Sequence, residues 1–407
     1  MLWVNFSSEW IQRVRNEIIF STKNGLCGAV ASFSLNNDII YQEAHGFQRN
    51  YNELELMPNP EPAKIDTIFD LASLTKIFAT TIGFMKLVDE KRICVDDKVK
   101  KYIPEFSGGD KDVVTIKQLL QHNSGYAPDF HFYNPKLVPP NFYSQTRSKT
   151  IELLPKVPLL NKPGTVTVYS DLNFVMLGIV LEKVTNMRQD EFVDTVIYKP
   201  LGLKNTGYAL LQKGFPKNRF EASERCGNTR DGHITFPNIR TKTIQGEVQD
   251  ETAFYSMEQI SGNAGLFSTV NDLTVLCQLI LNKGQFGGYR LCSEEVVNLF
   301  TCSLNIDKSY TLGFQVPSIH TELIYGMLLP EAGIALGHTG WTGKCFLIDF
   351  THNSIILILN NKKHSPVIPI GNDFNRFKGG MLPTSIYGGT NQLFYAGILE
   401  SKFGCKL

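Results

Sequence analysis

Phe69-Asp70-Leu71-Ala72-Ser73-Leu74-Thr75-Lys76 is the stretch on which the reading of the fold turns. Ser73 is the one serine in the chain with a lysine three positions later. After it, Leu74, Ile77, Phe78, Thr81, Phe84, Met85 and Val88 recur near the 3.6-residue period of a helix, so residues 74–89 are predicted helical with Ser73 at or near the start. Positions i and i+3 share a helix face, which sets Lys76 beside the Ser73 hydroxyl. Free N–H groups at a helix start can also stabilise an oxyanion. A serine needs a nearby base to become a nucleophile, and a desolvated lysine can serve if its pKa falls. On these residues alone, an N-capping serine followed by a surface lysine is the stronger reading.

Two further pieces lie downstream. Pro163-Gly164 and Val166 to Asp171 lead into a predicted helix through Tyr169-Ser170-Asp171-Leu172-Asn173-Phe174. A tyrosine at such a junction can take or relay a proton if a cation lowers its pKa, and a packed tyrosine before a cap is the plainer alternative. Gly337-His338-Thr339-Gly340-Trp341 then runs directly into a predicted strand pair. Small residues there let a substrate backbone lie along an edge strand, and the Trp341 N–H can join that of Ser73 in an oxyanion hole. A tight turn with a buried histidine is the alternative for this piece.

Strand-like alternation frames the chain. Ala29 to Phe33, a turn at Asn36-Asn37-Asp38 and Ile39 to Tyr41 form one hairpin; Cys345 to Ile348, a turn at 351–353 and Ser354 to Asn360 form another. Between them, Asn173 to Val184 and Asp272 to Leu281 read as helices, and Gly389 to Leu399 reads as a helix covering a sheet face. The expectation is an α/β (α+β) fold: an antiparallel sheet from both termini (residues 1–76 and 262–407) flanked by helices, with a mostly helical domain (77–261) inserted.

Composition narrows the function. The 407 residues are 43% hydrophobic and 19% charged, ordinary for a globular protein, and 40 basic against 39 acidic side chains leave no basic excess for nucleic acid. Lys98 to Lys101 and Lys362-Lys363 read as solvated faces or turns. No apolar run approaches the ~18 residues of a membrane span. Met1 to Phe6 lacks the charged and apolar regions of a secretory signal, so a cytoplasmic location is expected. The eight cysteines lack zinc-ligand spacing and read as unpaired core thiols. Glu247, Asp250 and Glu251 have no histidine at ligand spacing, so a solvated or hydrogen-bonded loop is expected and no metal. His122 reads as structural.

Taken together, in order and spacing, the three pieces resemble the serine β-lactamase and penicillin-binding superfamily, closest to its class C, D,D-peptidase and esterase branch. That family carries S-x-x-K, Y-x-N or a variant, and K-T-G or H-T-G in this order. Further similarity lies in Asp96 to Phe106, Ile116 to Gly125, Pro200 to Gly207, Gly246 to Asp250 and Ala264 to Thr269, and the resemblance spans roughly residues 27–360. It implies Ser73 as nucleophile, Lys76 as its neighbouring lysine and Tyr169 as general base, with His338, Thr339 and Gly340 lining the substrate and no cofactor. Asp171 stands where many relatives have asparagine; a carboxylate there favours a charged Lys76, shifts the base role to Tyr169 and prefers a substrate N–H. His338 stands where others have lysine and is expected to be partly charged near neutrality.

The expected function is a serine hydrolase or acyltransferase acting on an ester, amide or β-lactam of a small molecule or peptide. A D,D-peptidase-like activity leads, a carboxylesterase or small-peptide amidohydrolase is the alternative, and an efficient β-lactamase ranks third. A non-catalytic binding protein on this fold is the reading from another class. The missing export signal weighs against cell-wall substrates. Loops 126–162 and 209–245 are expected to set the substrate.

Overall fold

The computed structural model describes residues 8–328 and 335–403. Helix α1 (Ser8–Lys23) comes first, followed by strands β1 (Gly28–Leu35), β2 (Asp38–Asn52) and β3 (Glu55–Pro62). The chain then enters a long region that includes α2 (Ile82–Asp89), α3 (Asp171–Thr185) and α4 (Val270–Leu281). It returns as β4 (Ala335–Gly340), β5 (Lys344–Asp349) and β6 (Ser354–Asn360) and finishes in α5 (Gly388–Phe403).

The six strands form one antiparallel sheet in the order β4-β5-β6-β1-β2-β3. The first and last thirds of the chain meet at its centre, where Ala29 to Leu35 pair with Asn360 to Ser354. Period-2 alternation sorts their side chains between two cores. Ala31, Phe33, Cys345, Leu347, Ile356 and Ile358 face α1 and α5, whereas Val30, Phe346, Ile348, Leu357 and Leu359 face the helical region. Both faces are therefore covered. The second core runs without interruption from the sheet into α2, α3 and α4, crossing the expected boundary between 76 and 77.

Helix α1 was not anticipated, although Trp10, Val14, Ile18 and Ser21 are all buried and carry helical spacing. The stretch around Ser73 differs from a plain amphipathic helix. A 3-10 turn over Ala72–Leu74 precedes a π-helix over Lys76–Thr81, and the α-helix begins only at Ile82. Every residue from Lys76 to Thr81 is buried, so no polar face marked the wider turn in the sequence. Such wide turns concentrate at functional sites.

Lys362-Lys363 corrects another expectation. Lys363 is only 1% exposed, 3.2 Å from Glu224 and packed against Trp341, and its neighbour Lys362 is half-buried. Both lie in a turn after β6, as expected, but Lys363 is buried there instead of solvated. Seven cysteines, Cys27 to Cys345, are free, five of them buried. Among the described residues no helix is long and apolar enough to cross a membrane.

Candidate active site

Ser73 sits half-buried on the tight turn between Phe69-Asp70, a short strand, and the π-helix. The turn forces Ala72 to φ +46°, a left-handed conformation that costs energy for a residue with a Cβ. Asp70 holds it there. One carboxylate oxygen accepts the Ala72 N–H at 2.9 Å, the other accepts the Gln249 N–H at 2.6 Å, and the Asp70 carbonyl accepts the Thr342 hydroxyl at 2.9 Å. Below, Lys344 reaches Glu221 at 2.5 Å, and Glu221 accepts the Asp70 N–H at 3.1 Å. Burial pushes the Glu221 carboxyl up to about 8, with Lys344 opposing the shift. This network ties the serine turn to the end of β4. A Cβ on Gly340 would lie 2.6 Å from the Leu71 carbonyl, so only glycine permits that approach.

Lys76 is fully buried beneath Ser73. Its ammonium lies 3.0 Å from Ser73 Oγ, 3.2 Å from the Asn263 carbonyl and 2.6 Å from Asp171 Oδ1. Burial alone would lower its pKa, yet Asp171 and Tyr169 outweigh that and hold it above the usual lysine range. This direction agrees with the charged ammonium expected from Asp171.

Tyr169 immediately precedes Ser170, the residue that starts α3, and Asp171 occupies the first turn. The Lys76 ammonium lies 5.0 Å from the Tyr169 ring centroid. Burial raises the phenol's pKa, while Lys76 and hydrogen bonding with Ser73 pull it back. His122 fixes the ring from behind, with centroids 4.6 Å apart. Its Nδ1 accepts the Ser170 N–H at 3.1 Å, and burial holds its pKa well below the usual histidine value. His122 is thus a neutral support for Tyr169.

His338, on the edge strand β4, is also neutral. Its Nδ1 stands 2.8 Å from the Thr339 carbonyl, an acceptor, so Nδ1 carries the proton and Nε2 keeps its lone pair. Burial and the Lys76 charge depress its pKa to about 3. The partly charged His338 expected near neutrality is therefore corrected: its Nε2 is a buried acceptor without a protein partner among the described residues. The N–H and carbonyl groups of Gln315 bond Gly337, leaving the later part of β4 as open edge.

A cleft of about 800 Å³ brings Ser73, Tyr169, Asp171 and His338 together with Thr339, Gly340 and Trp341. Loops 126–162 and 209–245, expected to set the substrate, do line it, through Asp129 and Tyr133 and through Arg230 and Phe236, whereas Tyr310 and the segment 385–387 carry no local sequence signal. The acidic loop is partly solvated and partly hydrogen-bonded. Glu247 stays half-exposed, Glu251 pairs with Arg230 at 2.7 Å, and Asp250 lines the cleft with its carboxyl raised by burial and by Asp171. No group of three metal-binding side chains occurs among the described residues.

The sequence is 42% identical over 96% of this chain to an N-acetylmuramyl-L-alanine amidase of Bacillus subtilis, covering 89% of that protein. It is 40% identical over 89% of the chain to a protein of Escherichia coli K12 named "Putative D-alanyl-D-alanine carboxypeptidase", covering 85% of it. In fold it resembles an octameric penicillin-binding protein homologue from Pyrococcus abyssi (TM-score 0.66, 20% identity, 88% of this chain and 74% of that one). It also resembles EstCE1, a hydrolase with promiscuous acyltransferase activity (TM-score 0.66, 18% identity, 93% and 98%). These structures share the β-lactamase/transpeptidase-like arrangement of sheet and helices. Matched by the family's own sequence model along residues 15–379, the chain belongs to the Beta-lactamase family and is a serine hydrolase.

Proposed function

We propose that this hydrolase cuts an amide through a Ser73 acyl-enzyme, with N-acetylmuramyl-L-alanine as its substrate and a D-alanyl-D-alanine peptide as the second choice. One observation carries the preference for an amide. The polar groups facing the reacting bond, Asp171 and the His338 Nε2 lone pair, are acceptors. They call for a substrate N–H, which an ester lacks and the ring nitrogen of a β-lactam also lacks. Aromatic walls at Tyr133, Phe236 and Trp341, beside Asp129 and Glu251, suit a sugar ring and its hydroxyls. The two relatives named above support the same class of bond. N-acetylmuramyl-L-alanine is a small soluble molecule, so this reading needs no contact with an intact wall.

In this mechanism the ionised form of Tyr169, which the Lys76 ammonium favours and burial opposes, takes the Ser73 proton as Oγ attacks the carbonyl. The oxyanion lies between the N–H groups of Ser73 and Trp341. Tyr169 then protonates the departing amine, Asp171 having aligned its N–H, and water releases the acyl group by the reverse sequence. Chromatography of reaction mixtures tests the substrate. Free alanine from N-acetylmuramyl-L-alanine, absent with Ser73→Ala, is the expected result. Turnover of p-nitrophenyl esters with neither amide cleaved would make the protein an esterase instead.

A further inference from the structure

The wall of the cleft that holds Ser73 includes three donors, Ser385, Tyr387 and Lys362, that have no side-chain partner among the described residues. Tyr387 is 3% exposed and Ser385 is 2% exposed, and neither hydroxyl has a hydrogen-bond partner among the described residues. Both line the cleft that contains Ser73. Buried polar groups are almost always paired, so two orphans two residues apart on one cleft wall mark a place where a ligand completes them. Lys362 joins them, its ammonium 5.4 Å from the centre of the Tyr387 ring.

Three other cations close to the cleft are each paired with a carboxylate. Arg230 is held by Glu224 at 2.8 Å and Glu251 at 2.7 Å, Lys363 lies 3.2 Å from Glu224, and Lys76 is held by Asp171. Lys362 has no carboxylate within ion-pair distance among the described residues. Burial and the nearby Lys344 charge lower its pKa to about 8, as expected of a cation awaiting an anion. Lys362 also forms the wall shared with a neighbouring cavity of about 380 Å³, lined by Lys363 and Arg376 and by no acidic residue. The local backbone is strained as well. Tyr387 has φ +71°, a conformation rare for a side chain of its size and one that accumulates at ligand-binding positions.

We propose that Lys362, Tyr387 and Ser385 form a carboxylate subsite that holds the free carboxylate of the amino acid released by cleavage. The assignment rests on the amidase reading for the identity of that amino acid. Both candidate bonds, muramyl–alanine and alanyl–alanine, have such a carboxylate one carbon beyond the amide nitrogen. It also names the cation that a neutral His338 cannot supply. An ammonium and two hydroxyls can all donate to an anion, with a charge-assisted bond from Lys362, whereas a carboxamide gains no such charge pairing.

The test uses protection of Ser73, which does not depend on turnover. Rates of fluorophosphonate labelling are measured against increasing N-acetyl-alanine or N-acetyl-alaninamide, giving a dissociation constant for each. The wild type is expected to bind the acid about tenfold more tightly than the amide. Lys362→Met abolishes that preference and Lys362→Arg keeps it. Tyr387→Phe removes only an unpartnered hydroxyl, so it keeps the fold and reduces the preference severalfold. Equal affinities in the wild type, or a preference that survives in Lys362→Met, would overturn the subsite. Failure to cleave N-acetylmuramyl-L-alanine counts against the amidase reading alone, because the protection constants are obtained without it.

Discussion

The Lys76 ammonium donates to Ser73 Oγ and the Asn263 carbonyl and pairs with the Asp171 carboxylate at 2.6 Å, and this sets the chemistry of the site. A lysine so satisfied remains an ammonium, and the proton of Ser73 must go to Tyr169. Burial holds the Tyr169 pKa above its ordinary value, so kcat/KM should rise with pH from neutrality into the alkaline range. Asp171 raises the pKa of both Lys76 and Tyr169. In Asp171→Asn both pKa values fall, and both limbs of the pH–rate profile should move to lower pH. A profile that stays in place would remove Asp171 from the proton inventory. Ser73, Lys76, Tyr169 and His338 were legible because each lies in a short pattern with fixed spacing. The charge on His338 was not, because its neutrality depends on burial and on Lys76, which is 262 positions away in sequence. Lys362, Ser385 and Tyr387 carried no local pattern at all, and Lys362-Lys363 looked like an ordinary polar turn.

The elements holding these groups meet at unusually close approaches. Helix α3 rests on residues 261–263 through a pair of glycines. A Cβ on Gly262 would fall 1.9 Å from the Phe174 carbonyl, and one on Gly178 would fall 3.1 Å from the Gly262 nitrogen. That contact brings the Asn263 carbonyl to Lys76 and the Gly262 carbonyl to the Thr80 hydroxyl at 2.7 Å. Gly262→Ala should therefore lower stability by about 3 kcal/mol, read as a shift in urea midpoint with unchanged slope. Full stability in that variant would mean that α3 does not depend on the contact. The two terminal hairpins and helices α3 and α4 were legible from period 2 and period 3.6. The π-helix was not, since Ile77, Phe78 and Thr81 recur at the spacing of an ordinary helix and full burial leaves no polar face to mark the wider turn.

At the scale of the molecule, two ends of the chain build the platform for the site. Phe394 of α5 stacks on Phe33 of β1 with ring centroids 4.6 Å apart. Phe394→Ala should cost about 3–5 kcal/mol, measured by chemical denaturation. A loss below about 1 kcal/mol would show that α5 contributes little to the platform. Acid sensitivity has a traceable source in the same region. His364 is fully buried, and its Nε2 accepts the Tyr51 N–H at 3.1 Å. Burial and nearby arginines depress its pKa to about 3, so the native state holds fewer protons than the unfolded chain between about 3 and 6.5. Its contribution is present above that window and is lost as pH falls through it. His364→Gln retains an acceptor without the titration and should show a shallower decline of stability from pH 6.5 to 4. Identical declines would place the acid sensitivity elsewhere. Sheet closure between the termini was legible from the order of patterns, whereas which helices cover which face depended on contacts no single segment reveals.

Intact mass spectrometry after exposure to a fluorophosphonate, followed by peptide mapping, tests the nucleophile most directly. The wild type should gain one adduct on Ser73, and Ser73→Ala should gain none. An adduct of equal yield in Ser73→Ala would contradict the acyl-enzyme account of this site.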